Sequence, residues 1–365
     1  MRTQTWRNFD FWLFGTVLIL SIFGVAMIRS AIAGSETLAD YVSRQTIFMV
    51  ISMVVMFLVT AVDYHYWKSL TRPMYIFTIL FLIVIFAIGK ARFGANRWLD
   101  FGLILIQPSE LGKIVIILVL ADYFEKNKDK PHDLRWVAGS FILTILLVMW
   151  VLLQPNLSTS IVIFVIWFSM LFISGLPLKY IALFGAGLIL LGGVAFPFLA
   201  DYQQKRVLDF FFPDPTASYG NTYNVDQALI AIGSGGWFGQ GYGHGTQVQL
   251  RFLKVRHTDF IFSAMAEEFG FIGTLVVILL LVFVIIRCLR AARLAGDTFG
   301  SLIAYGFAVL IFFQMAVNIG VNLNVIPVTG LTLPFISYGG SSLLSLVLGI
   351  GLVESVVLRH KRLEF

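Results

Sequence analysis

The chain has 365 residues, of which 58% are hydrophobic and only 13% charged. A soluble globular chain carries about 25% charged residues, so this composition excludes an ordinary soluble domain and points to a protein dissolved in lipid. The net charge of +6 is modest and calls for no nucleic-acid partner, and the single cysteine, Cys288, excludes an internal disulfide and any multi-cysteine metal site.

Apolar runs of spanning length recur along the chain. They predict ten membrane helices, at 11–33, 46–62, 74–89, 108–123, 136–153, 157–173, 178–199, 260–286, 301–324 and 335–357. The first is too long for the apolar part of a signal peptide and has no small-residue cleavage site, so it is expected to be retained. An even number of spans puts both termini on one side. With that side taken as the cytoplasm, fifteen of the 26 Lys and Arg residues fall inside, in the sense of the positive-inside rule. The other eleven collect at the outer face, where something must want cations. The expected fold is all-α: one polytopic bundle over 1–365, with one large extracytoplasmic loop at about 200–258.

Polar motifs punctuate the outer face in chain order. Arg44 stands at the mouth of the second span. "GKARFGANRWLDFG" follows the third, with Arg97 and Trp98 in a glycine-flanked loop. "QPSELGK" opens the fourth: Pro108 sits early in a helix, where its missing N–H is harmless. Glu110 and Lys113, three residues apart, share a face and form either an ion pair or a phosphate site. "QPNLSTS", with Asn156, separates the fifth and sixth spans. The inner loops hold nothing comparable.

A loop as long as 200–258 is functional or disordered, and its "ALIAI" run and aromatics predict a packed or re-entrant element against the bundle. It contains Arg206 and the run "GSGGWFGQGYGHG". No strand precedes that run and no GK[ST] follows it, so it is a compact turn and no phosphate-binding fingerprint. "RHTDF" ends the loop with Arg256, His257 and Asp259. His257 reads as structural or substrate-facing, because no metal-ligand spacing surrounds it. Glu267 lies eight residues beyond Asp259, about 12 Å of helix rise, which suits a pair of hydrolytic carboxylates poorly. Glu267 and Glu268 are instead expected to face polar partners such as the Asn318/Asn322 helix. One carboxylate at a partly desolvated mouth suits general-base chemistry.

The chain resembles the SEDS family (shape, elongation, division and sporulation), which comprises the RodA, FtsW and SpoVE proteins. The resemblance rests on "GANRWLDFG", "QPSELGK", "QPNLSTS", "IAIGSGGWFGQGYGHGTQVQLRFLKVRHTDFIFSAMAEEFGFIG" and "PVTGLTLPFISYGGSS", in family order over nearly the whole chain. "GTQVQLRFL" and "PVTG" lean toward RodA. The resemblance implies an inverting peptidoglycan glycosyltransferase that polymerises lipid II at the outer face of the bacterial cytoplasmic membrane, in cell elongation. It implies Asp259 as the catalytic residue and a class B penicillin-binding protein, a transpeptidase, as partner. Ser337 and Gly339 of "ISYGGSS" are supporting residues, with Glu267 and Glu268. One departure stands out: the family's "QPDLGTS" has Asp and Gly where this chain has Asn156 and Ser158.

The chemistry needs a base, cations for a departing pyrophosphate and a groove open to lipid. Asp259 is the candidate base; Arg44, Arg97, Lys113, Arg206 and Arg256 are the candidate cations. A divalent cation is compatible with such a reaction, and no ligand cluster demands one. Two rival readings are a lipid II flippase and a scaffold that only recruits the transpeptidase. A flippase would place its polar groups near the bilayer midplane in repeated halves, whereas these motifs share one face.

Overall fold

The computed structural model describes residues 6–35, 38–88, 90–92, 95–100, 105–129, 133–176, 180, 196–213 and 220–359. Nine of the ten expected spans are helices: α1 Phe11–Ala31, α2 Asp40–Ala61, α3 Tyr64–Ile88, α4 Pro108–Lys126, α5 Leu134–Leu153, α6 Leu157–Ile173, α10 Ile261–Leu294, α11 Thr298–Asn322 and α12 Gly340–Leu358. The seventh expected span, 178–199, falls almost wholly outside the described residues. Seven of the nine are long and apolar enough to cross a membrane on those grounds alone. Of the other two, α6 has only 17 residues, and α4 carries Glu110, Lys113, Asp122 and Glu125.

Short polar caps set the helix starts. Asp10, Asp133, Asn156 and Asp297 each accept a main-chain N–H three residues on, at 2.9–3.3 Å, which satisfies a donor that the first turn leaves open. Pro108 occupies the first position of α4. Helices α2 and α3 begin six and ten residues before their apolar runs, because a hydropathy reading sees only the part of a helix that lies in lipid. Lys68 and Arg72 are therefore on α3 and not in a loop.

The buried centre of the bundle is α4, α11 and α12. Helix α12 lies along α2 and touches α4 and α11, and α11 packs between α4, α6 and α10. At one end of the bundle Arg287 donates from Nε to Asp10 Oδ2 at 2.6 Å, and Asp10 N–H donates to Glu354 at 3.0 Å, tying α1, α10 and α12 together.

Two features depart from a plain bundle. A small antiparallel sheet follows α3, with β1 Lys90–Arg92, β2 Ala95–Asp100 and β3 Leu105–Ile106 in the order β1-β2-β3. Ala95–Asp100 of the "GANRWLDFG" stretch, expected as a loop, is the strand β2, and its Trp98 favours extended backbone once the chain leaves the lipid. In addition, α10 is not continuous. Gly270 has φ 65° and ψ −166°, so the helix breaks there into two pieces. The large loop supplies α7 Asp201–Phe211, α8 Asn221–Gly235 and α9 Thr246–Gln249, and α8 packs on α10 as the apolar "ALIAI" run predicts.

The glycine-rich turn repairs the break. Gln240 and Gly241 N–H donate to the Glu267 and Glu268 carbonyls at 2.9 and 3.0 Å, while Phe271 and Ile272 N–H donate to Gly236 and Trp237 carbonyls at 2.8 and 3.1 Å. Every main-chain group freed by the break that these bonds reach is satisfied, as burial demands. A Cβ on Gly239 would stand 2.2 Å from the Glu268 oxygen; glycine is required there by the approach of the two backbones.

Candidate active site

Asp259 lies two residues before α10 and is half-buried. Three successive carbonyls fix its segment. His257 oxygen accepts from Tyr338 N–H at 2.8 Å. Thr258 oxygen accepts from Ser337 Oγ, also at 2.8 Å. Asp259 oxygen accepts from the side-chain amides of Asn318 and Asn322, at 3.1 and 2.9 Å.

Those two asparagines stand one turn apart on α11 and are at most 1% exposed. Asn318 also donates to Leu331 oxygen at 2.8 Å, so both its amide hydrogens are engaged. Asn322 accepts from Ser263 N–H at 3.0 Å and Oγ at 2.6 Å, replacing the cap that Phe260 cannot supply. Glu267 and Glu268, expected to face this pair, do not. The Glu267 carboxylate takes the Gln247 and Val248 N–H groups at 2.8 and 3.2 Å and the Thr246 hydroxyl at 3.2 Å. Glu268 accepts from Ser30 of α1. Their positions eight and nine residues past Asp259 turn them toward the returning loop and α1.

Gly330 brings a cation to the carboxylate. The point where its Cβ would sit is 3.7 Å from Arg206 Nη1 and 3.8 Å from Asp259 Oδ2. Arg206 extends from α7 and donates to Thr329 oxygen at 3.1 Å. Ser158 Oγ donates to the same oxygen, so the residue that departs from the family's glycine joins this corner directly. The Asp259 segment, the Thr329–Leu331 strand of chain and α7 therefore meet at one end of the bundle.

His257 packs its ring against Tyr41 and Tyr338 at 5.5 and 5.9 Å, and those tyrosines stack on each other at 4.3 Å. Burial, with a smaller contribution from the neighbouring Arg256 charge, pushes its pKa down to about 4. The ring is neutral at ordinary pH, which fits a packing role.

Several expected cations are occupied elsewhere. Lys113 is fully buried and donates to Glu110 at 2.8 Å, and Ser345 Oγ lies 3.4 Å from the same carboxylate oxygen. The ion-pair reading of "QPSELGK" is the one this geometry takes. Arg256 is 6% exposed; it donates to the Ala31 and Leu253 carbonyls and so staples the loop to the end of α1. Asn156 caps α6 and donates to Ser109 at 3.2 Å. Arg44 is half-buried near the start of α2, next to Gln45, whose side chain reaches Ser337 oxygen and Gly339 N–H at 3.4 and 3.2 Å. Arg97 and Trp98 are on β2, where Trp98 pairs with Lys90 and the register shift falls at Arg97. Ser337 and Gly339 thus act on the Asp259 segment through Thr258 and Gln45. Among the described residues no three His, Cys, Asp or Glu side chains converge.

Sequence reasoning missed the clamp on the Asp259 carbonyl and the role of Gly330. Asn318 and Asn322 at helical spacing in an apolar helix were the available signal, and they were assigned to the wrong partner.

Fold and site define a class: a multi-pass helical membrane protein with a carboxylate and an arginine gathered at one end of its bundle. The chain belongs to the FtsW/RodA/SpoVE family, described as cell cycle proteins, whose pattern matches residues 10–362. It is 36% identical to the peptidoglycan glycosyltransferase MrdB of Escherichia coli, over 95% of this chain and 93% of that one. It is 34% identical to a probable peptidoglycan glycosyltransferase FtsW of Geobacter, over 97% and 98%. Among solved structures, a chain of a peptidoglycan synthase complex that coordinates polymerisation and crosslinking superposes with a TM-score of 0.81 at 30% identity, covering 96% of this chain and 97% of that one. The rod shape determining protein RodA of Thermus thermophilus superposes at 0.73 with 30% identity, over 98% and 99%.

Proposed function

We propose that this peptidoglycan glycosyltransferase polymerises lipid II at the outer face of the bacterial cytoplasmic membrane, with Asp259 as general base. The observation that carries the reading is the pinned Asp259 segment with Arg206 beside it at Gly330. A base must be held in a fixed place to take a proton in the transition state. Asp259 removes the proton from the 4-hydroxyl of the acceptor sugar. That oxygen attacks the anomeric carbon of the donor, the carbon–oxygen bond to pyrophosphate breaks, and polyprenyl pyrophosphate leaves with the electron pair. An α-linked donor becomes a β-1,4 glycan by inversion.

Charge builds on the leaving pyrophosphate, and a cation aimed there lowers the barrier. Arg206 is the first candidate because it already stands beside the carboxylate. Arg44 and Arg97 are further candidates on the same outer segments. Lys113 and Arg256 act structurally, through Glu110 and through the end of α1. Lean toward RodA, and so toward elongation and a class B penicillin-binding protein as partner, rests on "GTQVQLRFL" and "PVTG"; the solved neighbour from a synthase complex is consistent with such a partner.

Purified protein incubated with lipid II should yield glycan polymer without any added polymerase. A protein that moves lipid II across a vesicle bilayer and makes no polymer would support the flippase reading instead. For sidedness, cysteine placed at Gly220 should label from outside intact cells and cysteine at Lys128 should not; the native Cys288 is buried.

A further inference from the structure

At the end of α11 far from Asp259 a cavity of about 560 Å³ opens between the C-terminal ends of α4, α6 and α10 and the first turn of α11. Helix α11 has 25 residues, about 37 Å of rise, and Asn318 and Asn322 at its other end hold Asp259. The cavity is therefore separate from the candidate active site.

Its rim carries Lys128 and Arg293, both exposed. Three other cations near this end, none of them lining the cavity, are paired. Lys68 pairs with Glu125 at 2.5 Å, Lys126 with Asp122 at 2.6 Å, and Arg359 with Asp63 at 3.3 Å. Lys128 and Arg293 have no carboxylate partner among the described residues. Asp297 also borders the cavity, but its carboxylate is taken up by Tyr64, Gly300 and His65 at 2.9, 2.9 and 3.1 Å. Ser174, at the end of α6, lines the same cavity with a buried hydroxyl that has no partner among the described residues. Two unmatched cations on the rim of one cavity are a complement to a phosphate group.

The source of that phosphate follows from the walls. Phe124 and Ile173 line the cavity, and Phe172 and Ile173 are 47% and 52% exposed on the outside of α6. Helix α6 spans 17 residues, about 25 Å, short of the roughly 30 Å hydrocarbon core. A bilayer thins locally to meet a short helix, which brings a headgroup down to the level of Ser174 and leaves its acyl chains along Phe172 and Ile173. Basic pockets between membrane helices take anionic headgroups in this way.

We propose that this cavity seats the phosphodiester headgroup of an anionic phospholipid, with the phosphate between Lys128 and Arg293. Phosphatidylglycerol is the probe. The full-length protein in neutral detergent is titrated with short-chain phosphatidylglycerol, with the matching phosphatidylcholine and with inorganic phosphate, and thermal stability is followed. Phosphatidylglycerol should raise Tm in a saturable way, while the other two should not. In the Lys128→Gln/Arg293→Gln double variant the half-saturating concentration should rise about tenfold or more. Arg72→Gln removes an exposed cation that does not line the cavity and should leave the titration unchanged. No saturable rise, an equal rise with inorganic phosphate, or the same loss in Arg72→Gln and the double variant would each overturn the proposal. Both cavity substitutions are on exposed side chains remote from Asp259, so polymerisation in neutral detergent should be unaltered.

Discussion

Arg206 and Asp259 both reach the open side of Gly330, where the point a Cβ would occupy lies 3.7 Å from the guanidinium and 3.8 Å from the carboxylate. The glycine has φ +82°, a region that L side chains enter at a cost of roughly 1–2 kcal/mol. Gly330→Ala should lower stability by about that amount and put a methyl in contact with both base and cation. The initial rate of polymerisation should then fall further than the Tm change accounts for. A rate that simply follows the folded fraction would show that the gap is not used.

Arg206→Gln keeps a donor for Thr329 oxygen and removes the charge. Contacts to an ionised group are about twice as strong as neutral ones, so steady-state kinetics should show weaker use of donor while Tm changes little. Unchanged kinetics would remove Arg206 from the site.

The Glu110–Lys113 pair separates two roles by a double-mutant cycle. Removing one partner of a buried pair leaves an uncompensated charge and costs about 3–5 kcal/mol, whereas replacing both can be neutral. Glu110→Gln and Lys113→Met should each destabilise strongly, and the double variant should regain much of the loss in both Tm and polymerisation. A stable double variant that makes no polymer would return Lys113 to the substrate.

Glu267 holds three donors of the returning loop. Glu267→Ala leaves the buried Val248 N–H unmade, at roughly 1–3 kcal/mol for such a group, and frees the two part-buried donors, so Tm should drop. Glu267→Gln keeps an acceptor and should drop less. Equal Tm in both variants would contradict the clamp.

For His257 the folded pKa of about 4, set by burial first and the Arg256 charge second, lies below the unfolded value of about 6.5. Between those values the unfolded chain binds a proton that the folded chain refuses. Stability therefore rises with pH across this window and its His257 contribution is lost as pH falls from 6.5 to 4. Tm measured against pH should show that slope in the wild type, and His257→Gln should flatten it. An unchanged slope would assign it to other groups.

Much of the bundle was legible because lipid imposes a simple rule: long apolar runs with polar caps become helices. Asp10, Asp133 and Asp297 announce their helices in the sequence, and "LSTSIVIFVIWFSMLFI" is bounded exclusively by local signals, Asn156 before it and Ser174–Gly175 after. The break at Gly270 was not legible, since its cause is the "GSGGWFGQGYGHG" turn at 233–245, well before it in the chain, which donates and accepts the hydrogen bonds a straight helix would make itself. Asp259 could be singled out as a charge at a membrane mouth. What holds it could not: Tyr338, Ser337, Asn318 and Asn322 reach it from 59 to 81 residues away, and a residue type alone does not say which backbone oxygen it will meet. The same holds for Lys113 and Arg256, whose charge reads the same in sequence whether it faces a substrate or a neighbouring helix.

The account rests most directly on Asp259 as the base. Asn matches Asp in shape but cannot accept the proton, and its main-chain carbonyl would still meet Asn318 and Asn322. Purified Asp259→Asn protein, shown by its Tm to be folded, should polymerise lipid II about 10²–10⁴-fold more slowly than the wild type. Polymer made by that folded variant at near wild-type rate would contradict the assignment.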